Sequence, residues 1–202
     1  MKSAERRDAI VRSAIHLFAE KGFRGATTRE LAAAAGVTEP VLYQHFRTKS
    51  DLYTAIIEAK AGDISGHAAG LRQLAQTGND RAFFGMVGEV ILRRYETDPE
   101  LTRLLLFSSL EHHELSDLFF ERLYAGFNKL VAGYIRRRIR EGGFCRVNAD
   151  IAARGLIGMI SYHGLVALLF PGRFKVANRR RIVDEMVNVF LGGISDSSNP
   201  HA

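Results

Sequence analysis

Apolar residues recur at spacings of three and four along almost the whole chain, and this periodicity restricts the possible folds more than any other feature of the sequence. Ile10, Ala14, Leu17 and Phe18 form one such stripe in a first helix predicted over about 4–21. Strand-like alternation of apolar and polar residues is hard to find. The sequence therefore predicts an all-α protein.

Glycine, proline and capping residues divide this pattern into about nine predicted helices. Gly22, Gly36, Gly142-Gly143 and Pro171-Gly172 predict helix ends. The polar tail, 195–202, is expected to fray. The predicted helices cover about 4–21, 27–36, a segment beginning after Thr38, 50 into the seventies with weakening at Gly62, Gly66 and Gly70, 80–98, 100–111, 115–141, 149–170 and 178–192.

Composition and charge are compatible with several functions but locate no site. The 202 residues are 47% hydrophobic and 25% charged, as in an ordinary globular protein. The formal net charge of +6 is compatible with a polyanionic ligand. Residues 1–60, however, carry ten Lys and Arg against seven Asp and Glu, so the basic excess is not confined to the N-terminus.

We expect a cytoplasmic protein that does not span a membrane. The single cysteine, Cys145, excludes an intrachain disulfide, and the N-terminus lacks the apolar core of a signal peptide. The most apolar stretch, Leu156–Phe170, has 15 residues, whereas a membrane span needs about 20. A buried helix explains this stretch better.

The second and third helices have the pattern of two short helices joined by a tight turn. Thr27 and Glu30 have the spacing of a capping box, which predicts a helix start at Thr27. Gly36 turns the chain, and a free outer face on the second of the two helices would suit insertion into the major groove of DNA. The residues expected to anchor that helix in the core are Val37, Leu42 and Phe46.

The segment from Arg7 to Leu52 resembles the DNA-binding domain of the TetR family of transcriptional regulators and covers about a quarter of the chain. Membership would imply a helix-turn-helix DNA-binding domain over 1–49, a helical ligand-binding and dimerisation domain over 50–194 and a polar tail over 195–202. The four matching elements are Leu17-Phe18-Ala19-Glu20-Lys21-Gly22, Thr27-Thr28, Ala35-Gly36-Val37 and Leu42-Tyr43-Gln44-His45-Phe46-Arg47-Thr48-Lys49.

The resemblance implies contacts with the DNA backbone. Thr27 or Thr28, with the amides of that helix start, would bind a phosphate, because a helix N-terminus favours anions. Three assignments have alternatives: Tyr43 could be a core aromatic, His45 a capping or surface residue, and Lys49 a solvated surface lysine. The remaining hydroxyl, imidazole and cationic candidates are Arg29, Tyr43, His45, Arg47 and Lys49.

The resemblance also places base recognition on the third helix. Thr38, Glu39 and Gln44 are the candidate base readers, with Gln suited to adenine and Glu to the amine of cytosine. Pro40 would contact a thymine methyl. Glu39 needs a donor on the DNA, since a carboxylate otherwise repels the phosphates.

The last two long helices are predicted to form a homodimer. The helices over 149–170 and 178–192 are apolar on more than one face, which suggests a partner subunit, with a thick monomer core as the alternative. Gly155, Gly158 and Gly164 would permit close helix approach. A dimer would hold two recognition helices about 34 Å apart, one turn of DNA.

A pocket for a small effector is expected in the helices from about residue 80 onward, as the resemblance implies. Aromatic walls with a few polar groups would suit an apolar or aromatic ligand, and its binding would favour a dimer that no longer matches the groove spacing. Plain core is the alternative for each residue. The candidates are Phe83, Phe84, Met86, Phe107, Phe120, Tyr124, Phe127, Met159, Tyr162 and His163.

The sequence thus predicts a DNA-binding regulator, specifically a repressor released from a palindromic operator by a small effector. The alternative is a regulator of the same fold that a protein partner controls. An enzyme using Cys145 or His163 is disfavoured, since no Gly-rich phosphate loop or nucleophile elbow is readable. No cofactor is predicted, and no metal at Glu111-His112-His113-Glu114, because adjacent histidines on a helix point about 100° apart.

Overall fold

The computed structural model describes residues 3–110, 115–173 and 178–195. Within these ranges it has ten α-helices, one π-helical turn and no β-strand, which confirms the all-α prediction. The helices are α1 (Ser3–Gly25), α2 (Thr28–Ala34), α3 (Glu39–His45), α4 (Lys49–Thr77), α5 (Asp80–Thr97), α6 (Pro99–Leu110), α7 (Leu115–Phe119), α8 (Gly126–Arg140), α9 (Ala149–Leu169) and α10 (Arg179–Ile194).

Two predicted helices differ from the structure. The single helix expected over 115–141 is divided by a π-helical turn, Phe120–Ala125, between α7 and α8. Because a single π turn, with its i→i+5 hydrogen bonds, changes the spacing of apolar residues over only a few positions, the apolar pattern does not reveal it. The weakening expected at the glycines of α4 is also absent, since α4 is continuous from Lys49 to Thr77. Glycine only disfavours a helix modestly, and context overrides that preference.

The first compact unit comprises Met1–Ile64 and Asp98–Tyr124. In this unit α1 packs on α2 and α6, and α2 packs on α3. The rings of Phe18, Phe23 and Tyr53 meet with centroids 5.2–5.8 Å apart. The Tyr53 hydroxyl donates to the Leu104 carbonyl at 3.0 Å. This core gives α2 and α3 a rigid base.

The second compact unit comprises Ser65–Thr97 and Ala125–Ala202. In it α9 packs on α5, α8 and α10. The Arg138 guanidinium pairs with Asp80 through Nε at 2.8 Å, and the Tyr134 hydroxyl donates to the same carboxylate at 2.6 Å. Burial, followed by the hydrogen bond to Asp80, raises the pKa of Tyr134, so its hydroxyl stays a donor. These bonds tie α8 to the start of α5.

Helix α9 matches the helix predicted over 149–170 but is less buried within the chain than expected. It has 21 residues, and by length and composition alone it could cross a membrane, with a mean hydropathy of 1.4 over 18 residues. Only 28% of that window is buried within the chain. Its exposed side chains include Ile151, Tyr162 and Leu169.

Candidate nucleic-acid interface

The start of α2 is held by a capping box, as predicted. The Thr27 hydroxyl accepts from the Glu30 amide at 3.3 Å and donates to Glu30 Oε2 at 2.8 Å, while the Thr27 amide donates to the same oxygen at 2.9 Å. Lys21 Nζ binds Glu30 Oε1 at 2.7 Å. The hydrogen bond from Lys21 and, to a smaller extent, those from Thr27 lower the pKa of Glu30 to about 2. Thr27 thus uses its hydroxyl and amide within the chain to begin α2.

The turn and α3 are anchored by the residues that the sequence indicated. Gly36 has φ +66°, a conformation that L side chains rarely adopt, and this allows the tight turn. Leu42 and Phe46 are 3% and 4% exposed, and Val37 packs against the same core. One face of α3 is therefore packed against the core, and Pro40 lies in the first turn of the helix.

The opposite face of α3 is open. Pro40, Tyr43 and Gln44 are exposed and lie three or four residues apart, so they share one side of α3, and Arg47 is exposed just after its end. Tyr43 is 46% exposed, which excludes a core role. Thr38 is exposed just before α3, and its side chain makes no capping hydrogen bond. His45 lies half-buried at the end of α3.

A hydrogen bond links the first residues of α2 and α3. Thr28 Oγ1 donates to Glu39 Oε2 at 3.0 Å, and both residues are half-buried. Arg29, the next residue along α2, is exposed. The sequence predicted Thr28 and Glu39 as separate DNA contacts, but their spacing of eleven residues gave no sign that they touch.

Lys49 is not a solvated surface lysine. Its ammonium donates to the carbonyls of Phe23 at 2.6 Å and Ala26 at 2.9 Å, and it lies 4.3 Å from the centroid of the Phe23 ring. It therefore fastens the start of α4 to the segment that joins α1 to α2. Its contact with phosphate stays a prediction.

Arg7 is an additional cation at this surface that the motif does not single out. Its guanidinium lies 4.8 Å from the centroid of the Phe46 ring, at the end of α3. A cation over an aromatic face is attracted by the ring quadrupole. Because Arg7 and Phe46 are 39 residues apart in the sequence, only the fold brings them together.

The predicted effector residues fall in both compact units. Phe107, Phe120 and Tyr124 belong to the first unit, where the last two rings lie 5.2 Å apart. In the second unit Phe83 and Phe84 are fully buried. Met86, Phe127, Met159 and His163 are half-buried, whereas Tyr162 is 70% exposed.

Phe83 and Phe84 belong to a packed aromatic cluster. Phe83 stacks on Tyr134 with centroids 3.8 Å apart, and Phe84 contacts the rings of Phe144 and Phe190. Rings at these distances fill the space between them. The sequence left two roles open for these residues, pocket lining or core packing, and their contacts favour core packing. Glu111–Glu114, considered above as a metal site, lies outside the described residues.

Two sequence families match the chain. Residues 10–56 match the family described as bacterial regulatory proteins, tetR family. Residues 90–193 match the family described as AefR-like transcriptional repressor, C-terminal domain. The first match contains α2 and α3 with the turn between them, and the second covers most of the second compact unit.

Relatives and solved structures agree with these matches. The chain is 31% identical to the nucleoid occlusion factor SlmA of Haemophilus influenzae over 160 residues, which cover 76% of this chain and 71% of SlmA. It is 37% identical to the transcriptional activator FasR of Mycolicibacterium smegmatis over 76 residues, or 38% of this chain, and spans only 33% of the length of FasR.

The fold is similar to that of the fatty acid degradation regulator FadR from Bacillus halodurans, with a TM-score of 0.76, 19% identity and coverage of 96% of this chain and 98% of FadR. It is also similar to AibR in complex with isovaleryl coenzyme A and operator DNA, with a TM-score of 0.68, 19% identity and coverage of 91% and 97%.

Proposed function

The chain belongs to the TetR family of DNA-binding transcriptional regulators, and we propose that it is a homodimeric repressor released from a palindromic operator by a small apolar or aromatic effector. The observation that best supports this proposal is that α3 has one buried face and one exposed face. Leu42 and Phe46 hold it to the core, while Pro40, Tyr43 and Gln44 stay exposed. Such a helix can enter the major groove without unfolding its support.

In this proposal residues at the start of α3 and on its exposed face contact DNA in two ways. Thr38, Glu39 and Gln44 read base edges, and Pro40 touches a thymine methyl. Neighbouring groups contact the DNA backbone, and these contacts fix the position of the protein along the DNA without reading its sequence. The backbone set comprises the α2 start at Thr27 and Thr28 together with Arg29, Tyr43, His45, Arg47 and Lys49.

Dimerisation is assigned to α9 and α10. Ile151, Tyr162 and Leu169 on α9 are 60%, 70% and 50% exposed, and Val189 on α10 is 69% exposed. Apolar side chains at these positions favour burial against a second copy, as in an isologous interface. Two copies would present two α3 helices to the half-sites of an inverted repeat.

Release by a small effector is supported by the family and by one similar fold. AibR was crystallised with isovaleryl coenzyme A and operator DNA, so an acyl ligand is compatible with this fold. A repressor agrees with the name of the family that matches 90–193. We place the effector in the second domain, 50–194, with the half-buried Met86, Phe127, Met159 and His163 as candidate lining residues.

The alternative is control by a protein partner without a small effector. The relative SlmA, 31% identical over 71% of its length, is named for nucleoid occlusion and not for a small ligand, so we keep this alternative open. The two proposals share the operator and the dimer. They differ in whether a small apolar molecule alone changes operator affinity.

Selection of bound sequences from random DNA by the purified protein, at a stated salt concentration, tests the proposal. We expect the wild type to enrich an inverted repeat. The Tyr43→Ala variant should lose this enrichment while its circular dichroism spectrum stays helical. Val147→Ala is the control, because Val147 is 38% exposed against 46% for Tyr43 but lies outside the DNA-binding domain. Salt-sensitive binding without any enriched sequence would contradict a sequence-specific regulator.

A further inference from the structure

The hydrogen bond from Thr28 Oγ1 to Glu39 Oε2, 3.0 Å long, joins the first residues of the two helices of the motif. We propose that Thr28 is a positioning residue which holds the Glu39 carboxylate as a reader of cytosine. The inference rests on the proposed function, since it concerns how the same helix-turn-helix chooses its bases. It replaces a phosphate contact for the Thr28 hydroxyl with a role in specificity.

The hydroxyl chemistry of Thr28 supports this role. A threonine hydroxyl has one hydrogen to donate, and Thr28 donates it to Glu39. Donation to a phosphate oxygen would break that bond and leave the carboxylate without its partner. The neighbouring Thr27 cannot substitute for it, because its hydroxyl hydrogen already goes to Glu30.

The position of Glu39 gives the held carboxylate a direct use. Glu39 is the first residue of α3, next to the exposed Thr38 and Pro40. A negative charge at a DNA-facing surface weakens binding unless it meets a hydrogen-bond donor. Thr28 occupies Oε2 from the α2 side, so Oε1 remains available to a donor of the DNA.

Base-edge chemistry selects cytosine as that donor. In the major groove cytosine presents its N4 amine, whereas adenine presents its N6 amine beside the N7 acceptor. A carboxylate only accepts hydrogen bonds, so N7 would repel it. Guanine and thymine present acceptors at the corresponding edge. A carboxylate held in one orientation therefore discriminates better than a mobile one.

The experiment measures operator affinity for four proteins: the full-length wild type, Thr28→Val, Glu39→Gln and the double variant. Each is titrated with the operator that the wild type selects and with operators changed at each position that selects cytosine. We expect the wild type to prefer cytosine at one such position by about tenfold. Glu39→Gln should lose that preference, and Thr28→Val should reduce it to about threefold or less at an unchanged salt slope.

The double variant separates positioning from a phosphate contact. If Thr28 acts through Glu39, adding Thr28→Val to Glu39→Gln should change neither the base preference nor the affinity further. Thr28→Ser keeps the hydroxyl and should keep the preference. Thr97→Val is the matched control, because the Thr97 hydroxyl donates to the Arg93 carbonyl in the second unit.

Two results would overturn the inference while leaving the proposed function intact. One is a loss of affinity in Thr28→Val that is equal for every operator and recurs when Thr28→Val is added to Glu39→Gln, which marks a lost phosphate contact. The other is an unchanged cytosine preference in Glu39→Gln. A wild type that enriches no sequence would instead overturn the proposed function, and this inference with it.

Discussion

Glu30 binds two neighbouring segments through one carboxylate. It accepts the Lys21 ammonium near the end of α1 and both the amide and the hydroxyl of Thr27 at the start of α2. The sequence pattern identified the capping box, because Thr and Glu three residues apart suffice to predict it. The ion pair with Lys21 depends on where α1 ends relative to α2, and only the fold establishes it.

This arrangement predicts how stability depends on pH. The pKa of Glu30 falls from 4.5 to about 2 on folding, so its contribution is fully present above pH 4.5 and is lost as pH decreases toward 2. We expect the wild type to lose urea resistance over this range more steeply than Glu30→Gln. Urea midpoints of both proteins at several pH values would measure the difference. Parallel curves would contradict the assigned bonds.

Lys49 carries a second prediction at the level of single residues. Its ammonium binds the Phe23 and Ala26 carbonyls, and hydrogen bonds to charged groups contribute about 1.5–3 kcal/mol each. Since Lys49 is only half-buried, we expect Lys49→Met to lower the free energy of unfolding by about 2 kcal/mol in urea.

The salt dependence of operator binding distinguishes two roles for Lys49: holding the start of α4 to the Phe23 and Ala26 carbonyls, which we call the fastening role, or contacting a DNA phosphate. A fastening role predicts weaker binding for Lys49→Met with an unchanged slope of log affinity against log salt. A slope smaller by about one would indicate a direct phosphate contact instead. Lys129→Met is the control, because Lys129 is exposed on α8.

At the level of elements, the backbone at the end of α1 is specific to glycine. Gly22 is buried, with φ 72° and ψ 178°, a combination that residues other than glycine rarely adopt. It redirects the chain toward Phe23, whose carbonyl Lys49 binds. Gly22 therefore interrupts the helical backbone as predicted, although the helical segment continues beyond it to Gly25.

Two glycine substitutions should change stability in opposite directions. Gly22→Ala should cost about 1–3 kcal/mol because of its backbone conformation. Gly133→Ala should stabilise by about 0.5–1 kcal/mol, since Gly133 lies within α8 and an added Cβ would meet nothing within 4 Å. Thermal unfolding of both variants and the wild type would test this. A stabilising Gly22→Ala would contradict the conformation of Gly22.

Considered over the whole molecule, the first compact unit has no excess of positive charge. The segments of the first compact unit carry 12 Lys and Arg against 14 Asp and Glu, whereas those of the second carry 16 against 8. Within that unit the predicted DNA-binding segment 1–49 carries nine Lys and Arg against five Asp and Glu, and the acidic residues of 50–64 and 98–124 offset this local excess. This explains why composition could not locate the DNA site.

The proposed dimer yields a prediction for the whole molecule. Tyr162→Asp would place an unpaired carboxylate in the α9 interface, at a cost of several kcal/mol, and should raise the dimer dissociation constant about a hundredfold. Sedimentation should then show monomers that no longer bind an inverted repeat tightly. Leu110→Asp is the control, because Leu110 is 76% exposed in the first unit. An unchanged dimer in Tyr162→Asp would argue against this interface.

The all-α fold, most helix bounds and the placement of the helix-turn-helix could be predicted from the sequence, because they depend on local information. Apolar spacing, the capping box at Thr27 and the glycines at 22 and 36 act within a few residues of one another. The same information predicted that Leu42 and Phe46 face the core. The π turn at Phe120–Ala125 was missed, since it leaves the apolar pattern helical.

Only the tertiary structure decided which distant side chains meet. The bond from Thr28 to Glu39 spans eleven residues, and Lys49 reaches the Phe23 carbonyl across 26. No periodicity encodes such pairs, because they depend on how whole helices pack. The sequence determined that this chain forms a helix-turn-helix. The packing of α1, α2 and α4 decided which of its polar groups remain free for DNA, since each donor used within the chain is withdrawn from the surface.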